Sequence, residues 1–582
     1  MTERSRAKIL GFLIALMALT GCRREAESRP DLILILVDTL RRDHLHAYGY
    51  PRETSPFLDA LAKKGVLFEQ AISAAPWTLP AAMSLMTGRL PSSHRVQNDG
   101  LKLSPAIPTL AETLRESGYR TSAVVSHIYV ARPFGFDRGF DQFEDFGLSK
   151  DYRFEAGLEP RAERVTDRAL EQIRNLKGRP FFLFIHYFDP HWDYDPPAPF
   201  DTRFTGPYRG KLTGKYQSFS EYANPERSLA PEDLQHLRDL YDGEIAYTDS
   251  QIGRLLAGME REGVAGRSVV VVLGDHGEEF KEHGSLGHGR SLYDEVIRIP
   301  LLVADFRRSR GSRRVSDQVR TQDLFPTLCA LAGIPAPRGI QGESLLPLLD
   351  GGARPSHAAI TETIRFDAYR KSYRLPDRKL IVSLDNNRRE FYDLRADPGE
   401  RTNLWGKRGE ESLEFEQTLF EQVDVLGGGW NLRWSSDGTP HRFSGTIETD
   451  GLITEVVPLF PEVGRHRVRQ GRHLDFDLQG VARGGGLSFG VDPPGARVGF
   501  SLALDGKVAA GLVFVGARRT RPSSQPFSFA GGLPSDILLR PSYRSGEEVA
   551  FFVWKNPGPS REESTELTDA MKQRLRSLGY VR

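Results

Sequence analysis

The stretch Ser268-Val-Val-Val-Val-Leu-Gly-Asp-His-Gly-Glu278 decides the fold class. Its apolar run does not alternate with polar residues, which is what a strand buried on both faces requires. The run delivers Asp275 and His276 directly beyond its carboxyl end. Three similar runs lie earlier in the chain: Leu32 to Val37 (LILILV), Ser122 to Val125 (SAVV) and Phe181 to His186 (FFLFIH). Segments with helical spacing separate them, among them PFLDALAKKG, AERVTDRALEQIRNL and YTDSQIGRLLAGMEREG, each ending near Gly or Asn. Buried strands alternating with amphipathic helices predict an α/β fold with a doubly wound, mostly parallel sheet across residues 31–334.

In open α/β sheets, ligands bind beyond the carboxyl ends of the strands. Asp38, Thr39 and Arg41 follow the first run. Asp189 and His191 follow FFLFIH. Asp275, His276 and Glu278 follow the last, with His283 and His288 a few residues on. A single Asp at a strand end commonly caps a helix or closes a turn. Three strands delivering Asp or His to one edge point instead to a metal site. Asp38, Asp275 and His276 make a set of two carboxylates and an imidazole. Such a set suits one divalent ion, with Mn²⁺ or Zn²⁺ favoured and Ca²⁺ a less natural fit.

The segment PWTLPAAMSLMTGRLPSSH supplies a candidate nucleophile, and here a family resemblance becomes plain. The chain resembles the sulfatase family of the alkaline phosphatase superfamily. VDTLRRDHLHAYGY, Thr78-Leu79-Pro80 followed by Leu85-Met86-Thr87-Gly88-Arg89, FFLFIHYFDPHWDY, LGDHGEEFKEHGSLGHGRSLYDE, DLFPTLCALAGI, QGESLLPLL and EFYDLRADPGERTNL stand in the family's order. The resemblance covers residues 31–404 and returns in RLRSLGYV at the end. It implies an alkaline phosphatase-like fold, with Asp38, Asp275 and His276 as metal ligands and Thr78 as a nucleophile on the same metal. By the same resemblance His191 and His288 assist the leaving group, Arg41 contacts the anion or supports the ligands from behind, and His283 is a further substrate contact.

Departures from the family pattern bear on the chemistry. Strict sulfatases carry Cys or Ser, oxidised to an aldehyde, where this chain has Thr78, and an arginine where it has Ala82. Thr39 stands in place of a second Asp, and His276 in place of an Asn. The resemblance therefore implies hydrolysis of phosphate, phosphonate or sulfate esters through a covalent Thr78 intermediate. Two alternatives are a transferase moving a phospho-headgroup onto envelope glycans or lipids, and a catalytically silent lipoprotein that binds a glycan.

At 582 residues the chain has room for several compact units. A net charge of +1 and the absence of a basic run exclude nucleic acid as an expected partner. Arg4, Arg6 and Lys8 followed by an apolar stretch to Leu19 predict a signal peptide over residues 1–22. Leu19-Thr20-Gly21-Cys22 resembles a lipobox, so Cys22 is expected to be lipidated, with residues 23–30 a tether. That places the protein in the bacterial cell envelope, held on a membrane and facing the periplasm or exterior. The other cysteine, Cys329, lies in an apolar segment and is expected to be a buried thiol. Residues 335–426 predict a small α+β subdomain. Residues 427–557, rich in Gly and alternating strands, predict a β-sandwich-like insert, and residues 558–582 a closing helix. Trp430, Trp434 and Trp554 are read as core residues of that insert, with a sugar platform as the second reading.

Overall fold

The computed structural model describes residues 29–557 and 563–577, apart from segments 149–160, 309–310, 425–427, 460–464, 530–534 and 543–547 and positions 367, 387, 483, 539 and 566. Cys22, the signal peptide and most of the tether lie outside the described residues.

The sequence opens onto an eight-stranded sheet. Its strands are β1 (Asp31–Val37), β2 (Val66–Ile72), β3 (Arg120–Val125), β4 (Gln142–Glu144), β5 (Phe181–Tyr187), β6 (Ser268–Gly274), β9 (Arg298–Asp305) and β10 (Arg313–Arg320). A two-stranded hairpin, β7 (Glu279–Phe280) with β8 (Leu286–Gly287), lies between β6 and β9. The spatial order is β10-β2-β9-β6-β1-β5-β3-β4. β1 runs parallel to β5 and β6, and β9 runs antiparallel to both β6 and β2.

Successive side chains of a strand face opposite sides, and each side of this sheet has its own core. Leu32, Leu34 and Leu36 pack with Phe182, Val271 and the Thr78–Thr87 helix on one side. Ile33, Ile35 and Val37 pack with Leu183, Val270 and the helices Ala162–Leu176 and Pro231–Arg261 on the other. Each such side chain contributes about 1.5–3 kcal/mol by leaving water. Two buried faces explain why these strands read as unbroken apolar runs. β2 (VLFEQAI) and β10 (RRVSDQVR) carry polar residues because they lie toward the sheet edge, and the run criterion passes over them. Antiparallel β9, whose apolar run is interrupted by Pro300, makes the sheet mixed.

A four-stranded antiparallel meander follows: β11 (Ala359–Arg365), β12 (Ala368–Arg374), β13 (Arg378–Ser383) and β14 (Arg388–Asp393). Leu380, Val382 and Phe391 on one face bury against Phe415, Leu419 and Phe420 of the Gly409–Gln422 helix. Ile381 and Tyr392 on the other face pack against Leu292, Tyr293, Val296 and Ile297, the segment that leads out of the candidate site. Around this contact Asp294 receives Arg374 at 2.8 Å and Lys379 at 3.0 Å, and Lys379 also pairs with Glu400 at 2.8 Å.

The region beyond Gly429 forms a five-stranded and a six-stranded sheet that share one apolar core. Trp430 and Trp434 lie inside it, and Trp554 is buried on the opposite face with Phe514 and Phe552. All three tryptophans are packed, so they offer no exposed platform. The last helix, Asp569–Ser577, returns Met571 and Leu575 to the first core of the large sheet. Among the described residues no helix is long and apolar enough to cross a membrane.

Candidate active site

The site is built where β1, β5 and β6 end together. Beyond Val37 the chain turns at Thr39 with φ +51°, a left-handed conformation that a β-branched residue rarely adopts. The turn aims the Thr39 N–H at Asp275 Oδ1 (3.1 Å), which also accepts the N–H of His276 at 2.7 Å. Asp275 Oδ2 is buried and accepts no hydrogen bond. Burial, then the neighbouring Asp38 carboxylate, pushes the Asp275 carboxyl up to about 7.

His276 donates from Nδ1 to the Gly277 carbonyl at 2.9 Å, which fixes the tautomer and turns the Nε2 lone pair inward. Nε2 stands 3.5 Å from Asp38 Oδ1 and 3.4 Å from Asp275 Oδ2. One ligand atom from each of Asp38, Asp275 and His276 lies within 4.8 Å of the others, and all three residues are buried. Two ligands held about 2.1 Å from one tetrahedral ion are roughly 3.4 Å apart. Two buried carboxylates and an imidazole lone pair at these separations fit a divalent cation.

Thr78 is the first residue of its helix. Its Oγ1 lies 3.3 Å from Asp38 Oδ2 and 3.4 Å from His276 Nε2. Trp77 occupies the cap position, so the hydroxyl does not serve as a helix cap. A fully buried hydroxyl directed at the carboxylate–imidazole set is placed for chemistry, and the helix N-terminus behind it favours negative charge.

Rings wall the site. Trp77 meets Tyr129 edge-on at 5.4 Å, and His127 meets Tyr129 at 5.2 Å. Phe188 stacks on both His127 and His191 at 4.5 Å. His288 meets His191 at 5.0 Å, stacks on Trp192 at 4.5 Å and reaches His276 at 4.4 Å. His191 donates from Nδ1 to the Trp192 carbonyl at 2.5 Å, and His288 from Nδ1 to Glu278 at 3.0 Å. With Nδ1 engaged in each, Nε2 is the atom through which either ring can serve a substrate. Burial, then the neighbouring His276 and His191, holds His288 well below the usual histidine range and keeps it neutral.

Two residues expected at the substrate are engaged by the protein itself. Arg41 supports the ligand loops: its guanidinium pairs with Asp43 at 2.7 Å and Glu282 at 2.9 Å and donates to the Glu278 carbonyl at 2.8 Å. It braces the loop after β6 from behind. His283 binds Glu295 through Nδ1 at 2.6 Å and the Glu400 carbonyl through Nε2 at 3.2 Å, so both nitrogens are committed to the protein. A lone polar residue a few positions past a strand end carries no signal of which way it turns.

Two residues of the site, His186 and Arg365, carried no signal in the sequence. His186, the last residue of an apolar run, is fully buried with Nε2 3.5 Å from Asp38 Oδ2. Glu278 holds His288 and accepts the Tyr194 hydroxyl at 3.1 Å. Arg365 arrives from β11, and its guanidinium lies 4.1 Å from the Trp77 ring. Only the tertiary fold brings that strand to the edge of the large sheet. Asp189 accepts the N–H of Ala162 at 2.9 Å and so anchors a helix start outside the metal set.

Residues 30–334 match the family model described as Sulfatase, and residues 281–424 match N-sulphoglucosamine sulphohydrolase, C-terminal. The chain belongs to the sulfatase family. The Delta 4,5-hexuronate-2-O-sulfatase of Bacteroides thetaiotaomicron is 25% identical over 431 residues, covering 67% of this chain and 87% of that protein. The multifunctional alkaline phosphatase superfamily protein PehA of Trinickia caryophylli is 25% identical, over 65% of this chain and 92% of that one. In fold, the sulfatase-family chain is similar to the phosphonate monoester hydrolase of Agrobacterium radiobacter, with a TM-score of 0.55 and 24% identity over 66% of this chain and 93% of the other. The fold is thus alkaline phosphatase-like, and this sulfatase-family chain is an enzyme of the class that hydrolyses sulfuric or phosphoric esters. The matched family models end at residue 424, ahead of the two additional sheets.

Proposed function

We propose that this protein is a divalent-metal-dependent hydrolase of phosphate, phosphonate or sulfate esters that works through a covalent ester on Thr78. The observation that carries the reading is the place of Thr78 Oγ1, buried within 3.3–3.4 Å of Asp38 and His276. Asp38, Asp275 and His276 would hold the ion, with Mn²⁺ or Zn²⁺ favoured by the imidazole. When bound there it lowers the pKa of an adjacent hydroxyl and neutralises charge on the transferred group. Thr78 Oγ bonds to the phosphorus or sulfur as the bond to the ester oxygen breaks, and the Nε2 lone pair of His191 or His288 takes up the Thr78 proton and hands it to the departing alcohol. Water then attacks the same atom, the bond to Thr78 breaks, and a proton of that water returns through the same imidazole to Thr78. Cys329, buried with its thiol pushed up to about 12 by burial, sits in a core helix and offers no alternative nucleophile.

Substrates of both kinds are supported by relatives: one is named a hexuronate sulfatase, and a similar fold is that of a phosphonate monoester hydrolase. On the sequence of residues 1–22 we further infer export and lipid attachment at Cys22, with the enzyme held on an envelope membrane. The test is metal analysis with turnover of aryl sulfate, phosphate monoester, phosphate diester and phosphonate monoester, comparing wild type with Thr78→Ala. Intact mass after substrate quench reads the covalent adduct. A Thr78→Ala protein with full activity on every active substrate overturns the mechanism.

A further inference from the structure

The edge of the large sheet opposite the candidate active site has a charge pattern of its own. β1, β5 and β6 start at this edge and antiparallel β9 ends there, with Asp31 beside Ser268 and Val269 beside Asp305. The described chain also enters here. Arg29, two residues before β1, lines an open cleft of about 480 Å³ with Arg307, Arg308, Leu331, Leu346 and Asp350. Neighbouring turns expose Lys63 and Lys64 before β2, Arg179 before β5 and Arg261 at the end of the long helix before β6. The more buried acids of this edge are held by arginines: Asp31 meets Arg267 at 2.6 Å and Asp305 meets Arg307 at 2.9 Å. Half-buried Glu262 meets both Arg174 and Lys177 at 3.0 Å.

Exposed basic residues of these turns, Arg115 among them, outnumber the exposed acids Glu116, Glu260 and Asp350 by more than two to one. The whole chain has a net charge of only +1, so the excess at this edge is an asymmetry that the rest of the molecule offsets. The same edge is where the tether must leave. From Cys22 to Arg29 the chain reaches at most about 25 Å even when fully extended. An acyl group at Cys22 therefore keeps this edge near the bilayer. β1 then rises about 3.3 Å per residue over its seven residues, which sets Asp38 and the candidate metal set roughly 20 Å further from the lipid.

We propose that this basic edge rests on the headgroups of an anionic phospholipid bilayer, so that the candidate active site opens away from the membrane that holds the enzyme. The proposal deepens the attachment reading above and rests on it for the presence of the membrane. A single anchored point does not set orientation, whereas a charged edge does. Each basic side chain near an anionic surface strengthens binding by about fivefold. The substrate then arrives from the aqueous side, which favours hydrolysis of esters outside that bilayer over transfer to or from its lipids.

The test uses residues 23–582, which keep every described residue and carry no acyl group. Co-sedimentation is measured with vesicles of phosphatidylcholine alone and with about one-third phosphatidylglycerol, in roughly 0.05 M and 0.5 M salt. The wild-type sequence is expected to bind the anionic vesicles at least about tenfold more tightly, and to lose that preference in high salt. The triple variant Lys63→Gln, Lys64→Gln and Arg179→Gln is expected to weaken binding by about tenfold or more. Arg467→Gln, Arg472→Gln and Lys507→Gln, the same change in charge on exposed residues beyond Gly429, are expected to keep it. Quenching by a nitroxide-labelled lipid reads the orientation. A fluorophore at Ser312→Cys, beside Ala62 on the proposed edge, should be quenched, and one at Thr402→Cys, near the loop after β6, should not. Cys329 is buried and takes no label. Equal binding to both vesicles, equal losses in the two triple variants, or quenching at Thr402→Cys that matches Ser312→Cys overturns the proposal. Attachment at Cys22 is read separately by fatty-acid incorporation into the full chain, so failure of either reading is distinguishable from failure of the other.

Discussion

Thr78 Oγ1 and His276 Nε2 stand 3.4 Å apart, although 198 residues separate them in the chain. The helix that begins at Thr78 and the strand that ends before Asp275 are docked so that a hydroxyl and an imidazole lone pair meet at one buried carboxylate, Asp38. If that meeting point is the reacting centre, Thr78→Ala lowers kcat by about a thousandfold or more, while Thr78→Ser, which keeps the hydroxyl, retains measurable turnover. Steady-state rates, with circular dichroism to establish folding, check both.

Removal of the metal is expected to abolish turnover reversibly. Dialysis against a chelator should silence the enzyme, and Mn²⁺ or Zn²⁺ should restore it. Asp275→Asn leaves the backbone donors of Thr39 and His276 with an acceptor but removes a negative ligand. Elemental analysis of that variant should find well under one metal per chain.

The contact between the meander and the loop beyond the site depends on Asp294, which Arg374 and Lys379 hold well below the usual carboxylate range against the cost of burial. Asp294→Asn leaves two buried cations short of a partner and should cost about 3–5 kcal/mol. The measurement is the shift of the thermal transition, with Arg308→Gln as the neutral comparison.

Asp249 should give stability a pH dependence of unusual sign. Its buried carboxyl accepts the N–H groups of Phe57 and Leu58 at 2.9 and 2.8 Å, yet burial pushes it up to about 7. The folded chain therefore holds a proton that the unfolded chain releases near 4. Its contribution is full below about 4 and is lost as pH rises through about 7, with a limiting slope of about 1.4 kcal/mol per pH unit. Urea midpoints measured from pH 4 to 8 should fall less steeply for Asp249→Asn than for wild type.

Cys22→Ala should move the enzyme from the membrane fraction to the soluble fraction without altering kcat/KM of the released protein. Radiolabelled fatty acid incorporated into wild type and absent from the variant checks the attachment.

The strand order could not be read from apolar runs alone. β1, β3, β5 and β6 announced themselves because both of their faces are buried, whereas β2 and β10 lie toward an edge, where polar side chains reach water and the run is broken. Asp38, Asp275 and His276 were legible for a related reason: in a parallel sheet every strand delivers its next residues to the same edge. His186 was not, since a histidine that closes an apolar strand looks like part of the strand. The partners of Arg41 and His283 were not legible, because proximity in sequence to a ligand says nothing about which carboxylate a long or planar side chain will find.

The amino-acid sequence by itself determined the α/β class, the family, the candidate metal set and the substitution of Thr78 for an oxidisable cysteine or serine. Each follows from local patterns whose meaning does not depend on distant parts of the chain. Only the tertiary structure decided that Trp77, and not Thr78, stands at the N-cap position, that Arg41 is spent on carboxylates, and that Arg290 and Arg365 converge on Phe366. Those are matters of direction, set by how elements hundreds of residues apart pack and which partner satisfies each buried charge, and no local pattern encodes them.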